Sequence, residues 1–214
     1  MSERIIAVIP IRSFQNGKIR LAPVLAPEAR AAMLQQAARC VIEAARASGV
    51  VETILVVSPD PETLAWAGAV GPHVVALSQP NTLPGLIGAI DAGREWAVAA
   101  GADAMLSLFA DLPFLAADDV RAMVGRGEPI VLGADRRGEG TNALLLRLDG
   151  ASAGFRFAFG EGSLLRHLAE ARRLGIAAAV HEATGIGFDL DTPDDWADYR
   201  AVTERAATCE ASVA

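Results

Sequence analysis

The stretch Ile5-Ile-Ala-Val-Ile9, running straight into Pro10-Ile-Arg-Ser-Phe-Gln-Asn-Gly-Lys-Ile-Arg-Leu21, decides the fold. Unbroken apolar character leaves no polar face, so a strand read over 4–10 must be covered on both sides. The loop that follows carries Arg12, Lys18 and Arg20, and Lys18 is the only lysine in the chain. Lysine brings a compact mobile charge and arginine a planar fork, so this loop suits a polyphosphate. An ordinary solvated basic loop would read the same way.

Outward from this stretch, Thr53-Ile-Leu-Val-Val57, Val74-Val-Ala-Leu77, Ala104-Met-Leu-Ser-Leu-Phe109 and Ala143-Leu-Leu-Leu146 read as further strands, with others near 129–134 and 176–181. Helices are expected at 27–49, 60–69, 84–100, 117–125, 163–174 and 193–206. In the first of them Pro27 suits the opening turn, Leu34, Ala38, Val41 and Ala45 recur at helical spacing, and Gly49 suits the stop. Alternating strands and helices imply an α/β fold, a mostly parallel central sheet with helices on both faces. We expect a single domain over 1–206 and a flexible tail over 207–214. Ligands of such sheets bind beyond the carboxyl ends of the strands, so residues 11–20, 111–115, 135–142 and 183–192 should surround one crevice.

Composition narrows the function. A formal net charge of −7 argues against a nucleic-acid partner and requires a local positive patch for any anionic substrate. The two cysteines, Cys40 and Cys209, make no disulfide framework, and Cys40 reads as a small buried residue. Without a long apolar run or a signal-peptide pattern, the expectation is a cytoplasmic protein with no membrane partner. His73, His167 and His181 lack ligand-like spacing, so no zinc site is expected, and His167 and His181 read as structural or exposed.

Four segments could carry chemistry. In Phe109-Ala-Asp-Leu-Pro-Phe114, Asp111 ends the fourth strand, where a carboxylate can hold Mg²⁺ on substrate phosphates or merely start the turn before Pro113. In Gly187-Phe-Asp-Leu-Asp-Thr-Pro-Asp-Asp195, Thr192, Pro193 and Asp195 make a helix start, which leaves Asp189 and Asp191 unexplained. Two residues apart in extended chain, they share a face and repel unless a cation intervenes, so one of them is a candidate second metal ligand. Asp135-Arg-Arg-Gly-Glu-Gly-Thr-Asn-Ala143 is a glycine-punctuated loop offering Thr141 and Asn142 as donors. In Phe157-Ala-Phe-Gly-Glu-Gly-Ser-Leu-Leu-Arg-His167, Ser163 reads as a helix N-cap, and Gly160 and Gly162 would let an anion approach the helix start.

The order of Lys18 to Pro23, Ala-Asp-Leu-Pro (110–113), Gly-Thr-Asn-Ala-Leu (140–144), Phe-Gly-x-Gly-Ser (159–163) and Leu-Asp-Thr-Pro-Asp-Asp (190–195) resembles one family across about residues 5–200. That family is the 2-phospho-L-lactate and phosphoenolpyruvate guanylyltransferases of deazaflavin-coenzyme biosynthesis. The resemblance implies a nucleotide-diphospho-sugar-transferase-like fold. It also implies transfer of GMP from GTP to the phosphate of a small phosphorylated acid (phosphoenolpyruvate, 3-phospho-D-glycerate or 2-phospho-L-lactate), with Mg²⁺ as cofactor and pyrophosphate leaving. On this basis Lys18 and Arg20 would neutralise the triphosphate. Asp111, with Asp189 or Asp191, would hold the metal, and Arg12, Thr141, Asn142, Gly160 and Ser163 would bind substrate. A homodimer is compatible with this reading. Two positions depart from the family pattern: Arg12 stands where a lysine is usual, and Gly85-Leu-Ile-Gly-Ala89 has Ile87 where an asparagine is usual. The alternatives are a molybdenum-cofactor-type or sugar-phosphate nucleotidyltransferase, whose first loop is richer in glycine than Ser13–Gly17, and a non-catalytic nucleotide-binding protein, which would have no use for Lys18 and the carboxylates.

Overall fold

The computed structural model describes residues 3–211. Its centre is a seven-stranded sheet of β1 (Ile5–Pro10), β2 (Thr53–Ser58), β3 (Val74–Ser78), β4 (Ala104–Leu108), β5 (Ile130–Ala134), β6 (Thr141–Arg147) and β7 (Ala178–His181), in the spatial order β3-β2-β1-β4-β6-β5-β7. Only β6 runs against the others, pairing antiparallel with both β4 and β5. The helices are α1 (Pro27–Ala47), α2 (Pro61–Gly68), α3 (Gly85–Ala99), α4 (Ala117–Val124), α5 (Ser163–Leu174), α6 (Thr184–Gly187) and α7 (Pro193–Ala211). The last helix continues past the expected stop at 206, and residues 212–214 lie outside the described residues. Among the described residues no helix is long and apolar enough to cross a membrane.

The apolar run of β1 divides by parity. Ile5, Ala7 and Ile9 pack under α1 with Val41 and Ile42, while Ile6 and Val8 pack under α3 with Ala89 and Ile90. Alternation of Cβ direction along a strand therefore builds two cores on one sheet, as a doubly covered strand requires. α3 lies especially close: a Cβ on Gly93 would sit 2.4 Å from Val8 Cγ1. Local sequence sets the helix ends. Asp60 caps α2 by accepting from the Thr63 N–H at 3.2 Å, with Pro61 in the first turn. Thr192 and Asp195 bond reciprocally ahead of α7. Ser163 departs from its expected place: Gly162, in left-handed conformation, is the N-cap of α5, and Ser163 is the first helical residue. Cys40 is half-buried, less enclosed than expected.

This topology places the site. From β1 the chain winds one way to β2 and β3, then crosses back to β4, so β1 and β4 form the switch point where a crevice opens at the strand ends. Because β6 is reversed, its first residues Thr141 and Asn142 arrive at the edge where β1 and β4 finish.

Candidate active site

Beyond the ends of β1 and β4 lie three adjoining recesses, and all three share Leu86 in their walls. The smallest, about 260 Å³, is bounded by Ile11, Phe14, Lys18, Phe109 and Asp111. A second, about 550 Å³, extends over β3–α3 between Arg12, Gln79, Pro84 and Gly85. The third, about 560 Å³, faces the other way and is walled by Lys18, Arg20, Asp111, Thr141, Gly160, Ser163, Asp189 and Asp191, among others. The segments at 11–20, 135–142 and 183–192 meet here as expected, and of 111–115 it is Asp111 that reaches the wall.

Lys18 is the electrostatic centre. It forms ion pairs with Asp111 and, at 3.3 Å, with Asp191, while Arg20 pairs with Asp191 at 2.7 Å. Burial alone would push the ammonium down, but Asp111 and then Asp191 and Asp189 outweigh it and hold Lys18 above the ordinary lysine range. Lys18 is also the one non-glycine residue at positive φ among the described residues (φ 50°, ψ 48°). The loop bends here, so the side chain turns inward.

The carboxylates divide by their partners. Asp191 is engaged by Lys18 and Arg20, which outweigh burial and lower its pKa. Among the described residues no cation is bonded to Asp189. It receives only the Asn142 amide at 3.4 Å, and burial together with the neighbouring Asp111 carboxylate raises its pKa. Asp111 keeps one oxygen, Oδ1, buried and without a hydrogen-bond partner. Leu190 N–H donates to the Asp111 carbonyl at 3.1 Å, which fastens the Asp189–Asp191 segment beside Asp111. An unpartnered carboxylate oxygen next to a second carboxylate suits a divalent cation, and magnesium takes one or two carboxylates plus phosphate oxygens and water. No cluster of three or more His, Cys, Asp or Glu side chains forms a protein-only metal cage among the described residues.

The remaining expected residues take distinct places. Arg12 lines the two β1–β3 recesses, not the one with Thr141 and Ser163. Asn142 is buried and its amide is taken up internally by the Ile186 carbonyl at 2.9 Å and by Asp189, so it steadies that carboxylate. Thr141 and Ser163 are buried and their hydroxyls lie 3.2 Å apart. Gly160, at φ +108°, shares their wall. The N–H groups of Ser163 and Leu164 already serve the carbonyls of Gly160 and Glu139, so the start of α5 has fewer free amides than a bare helix terminus. Ile87 lines none of the recesses; Leu86 and Gly85 do. Gly17 is accounted for by packing, since a Cβ there would meet Leu34 Cδ1 at 2.5 Å. Gln79 and Phe109 went unforeseen, whereas His167, read as structural or exposed, is wholly buried. Their roles come from contacts distant in sequence, such as Phe109 against Phe159 at 5.3 Å between ring centroids.

Residues 5–201 match the model of the family described as guanylyl transferase CofC like. The chain belongs to that family. Its CofC-like relatives include a phosphoenolpyruvate guanylyltransferase of Sphaerobacter thermophilus, 40% identical over 89% of both chains. A 3-phospho-D-glycerate guanylyltransferase of Phenylobacterium zucineum is 33% identical over 88% of this chain and 86% of that one. A 2-phospho-L-lactate guanylyltransferase of Methanothermobacter thermautotrophicus is 28% identical over 88% and 81%. The fold is shared with the 4-diphosphocytidyl-2C-methyl-D-erythritol synthase of Anaerococcus prevotii, at a TM-score of 0.66 and 10% identity over 94% of this chain and 96% of that one. As a CofC-like protein the chain is a nucleotidyltransferase of the guanylyltransferase kind, and the recesses at the strand ends are its candidate active site.

Proposed function

We propose that this guanylyltransferase transfers GMP from GTP to the phosphate of a three-carbon phosphorylated acid, using Mg²⁺ and releasing pyrophosphate. The observation that carries the proposal is the buried, unpartnered Oδ1 of Asp111, set beside Asp189 and against Lys18 at the junction of the recesses. The β1–β3 recess, with Arg12 at its wall, takes the nucleoside. The recess with Thr141, Gly160 and Ser163 takes the acid, and the two phosphate groups meet between them at Lys18.

Asp111 and Asp189 would hold the Mg²⁺, which would supply positive charge to the phosphate oxygens. Lys18 and Arg20 leave Asp191 for the triphosphate and neutralise the charge that builds on the departing pyrophosphate. A phosphate oxygen of the acceptor, already ionised, attacks the α-phosphorus; the α–β bridging P–O bond breaks, and its electron pair leaves with pyrophosphate. This nucleophile needs no side-chain base, in keeping with recess walls that contain no histidine. Protein catalysis then reduces to holding the two phosphates in line and compensating their charge.

The test is pyrophosphate release from GTP with phosphoenolpyruvate, 3-phospho-D-glycerate and 2-phospho-L-lactate offered singly. Release with one acid is expected, abolished by chelation of divalent metal. Asp111→Asn should lower it by about 10²–10³-fold or more with an unchanged circular dichroism spectrum. If GTP binds but no acid supports release, the acceptor assignment is wrong.

A further inference from the structure

His167 is wholly buried and takes no part in the chemistry above. Both of its ring nitrogens are nevertheless engaged. Nε2 receives the backbone N–H of Ala158 at 2.9 Å. A peptide N–H can only donate, so Nε2 carries no proton and the neutral ring must carry its proton on Nδ1. Burial, and secondarily Arg166, keeps the ring neutral by pushing its pKa down to about 4. Arg166 also fixes the Ala158 peptide by donating to its carbonyl at 2.9 and 3.1 Å, and the Phe159 ring stands edge-on to the imidazole at 4.8 Å.

The Nδ1–H therefore donates to Thr141 Oγ1, 3.1 Å away. Ser163 Oγ lies 3.2 Å from the same oxygen. The two hydroxyls share one hydrogen bond, and whichever of them donates it, one O–H of the pair remains with no acceptor recorded among the described residues. Both residues line the recess. With the opposite tautomer, Nδ1 would take the threonine proton and the pair would turn a lone pair toward the recess.

We propose that His167 is a positioning residue that keeps one O–H of the Thr141–Ser163 hydroxyl pair free to donate to an anionic oxygen of the acceptor acid. This rests on the placement of the acid at Thr141 and Ser163 proposed above. The anchor works without a positive charge, so it holds the acid without competing with Lys18 and Arg20 for the nucleotide phosphates.

The experiment compares two amide replacements and reads the tautomer directly. In His167→Asn the short amide reaches the Nδ1 position and can still donate to Thr141. In His167→Gln the longer amide reaches the Nε2 position and serves Ala158 instead. With whichever of the three acids is turned over, His167→Gln should raise KM for the acid about 10-fold or more with KM for GTP unchanged, while His167→Asn stays near the parent. ¹⁵N NMR of the parent enzyme should show Nδ1 protonated and Nε2 bare. A proton found on Nε2, or equal rises in both KM values for both variants in step with a lowered Tm, overturns the proposal. Thr141→Val separates the two layers of the argument. If it leaves KM for the acid unchanged, the acid site itself is misplaced; if it raises that KM while His167→Gln does not, only the role of His167 is lost.

Discussion

Lys18 pairs backbone strain with electrostatic need. A non-glycine residue in left-handed conformation costs about 1–2 kcal/mol, and here that conformation aims an ammonium at Asp111 and Asp191. His167 stores a different cost, which acid exposes. Its folded pKa of about 4 lies below the ordinary 6.5 of the unfolded chain, so below pH 6.5 the unfolded state takes up a proton that the folded state refuses. Stability is therefore unaffected above about pH 6.5 and falls as the pH drops toward 4, by up to about 3 kcal/mol from this residue. Thermal unfolding followed from pH 7 to pH 4 should show that decline in the parent and a shallower one in His167→Gln. Parallel curves would mean the ring is not held neutral.

At the scale of elements, α3 approaches β1 closely, through Gly93 over Val8. Gly93→Ala would press a methyl group into Val8, an inward residue of a central strand, and should destabilise by about 1–3 kcal/mol, read as a lowered Tm. An unchanged Tm would mean that α3 can slide on the sheet. The elements themselves were largely legible. The runs at 5–9, 53–57 and 104–109 announce buried strands because nothing polar interrupts them, and Asp60–Pro61 and Thr192–Pro193 announce helix starts. The direction of β6 was not legible, because Ala143-Leu-Leu-Leu146 is equally apolar read either way. Nor was the four-residue α6, too short for any periodicity. Of the site, Lys18, Asp111 and the Asp189/Asp191 pair could be located from charge and strand ends. Which of the two aspartates pairs with cations could not, since it depends on Lys18 and Arg20 reaching across from residues far away in the chain. The contact of His167 with Thr141 was unreadable for the same reason: the two lie 26 residues apart.

Across the whole molecule, both cores are built on one sheet whose strands contribute alternate residues to each. Neither face can lose its packing without uncovering the back of the other. Ile42→Ala on the buried face of α1 and Leu144→Ala on the opposite face of the sheet should each cost about 2–5 kcal/mol and move one shared unfolding transition. Two separable transitions would show that the faces unfold independently. The overall charge of −7 repels anionic substrates at a distance, so their capture falls to the few cations gathered at the strand ends.

The reversed strand β6 has a consequence for inheritance. Because it turns back on β5, the part of the acid recess that no other recess shares comes mostly from one stretch, 135–163, with Asp189 and Asp191 beside it, while the wall assigned to the nucleotide takes none of that stretch and draws mainly on 10–12 and 79–89. Changes in the acid wall can therefore accumulate as a cassette within a single hairpin and the start of its helix, leaving the nucleotide wall as it was.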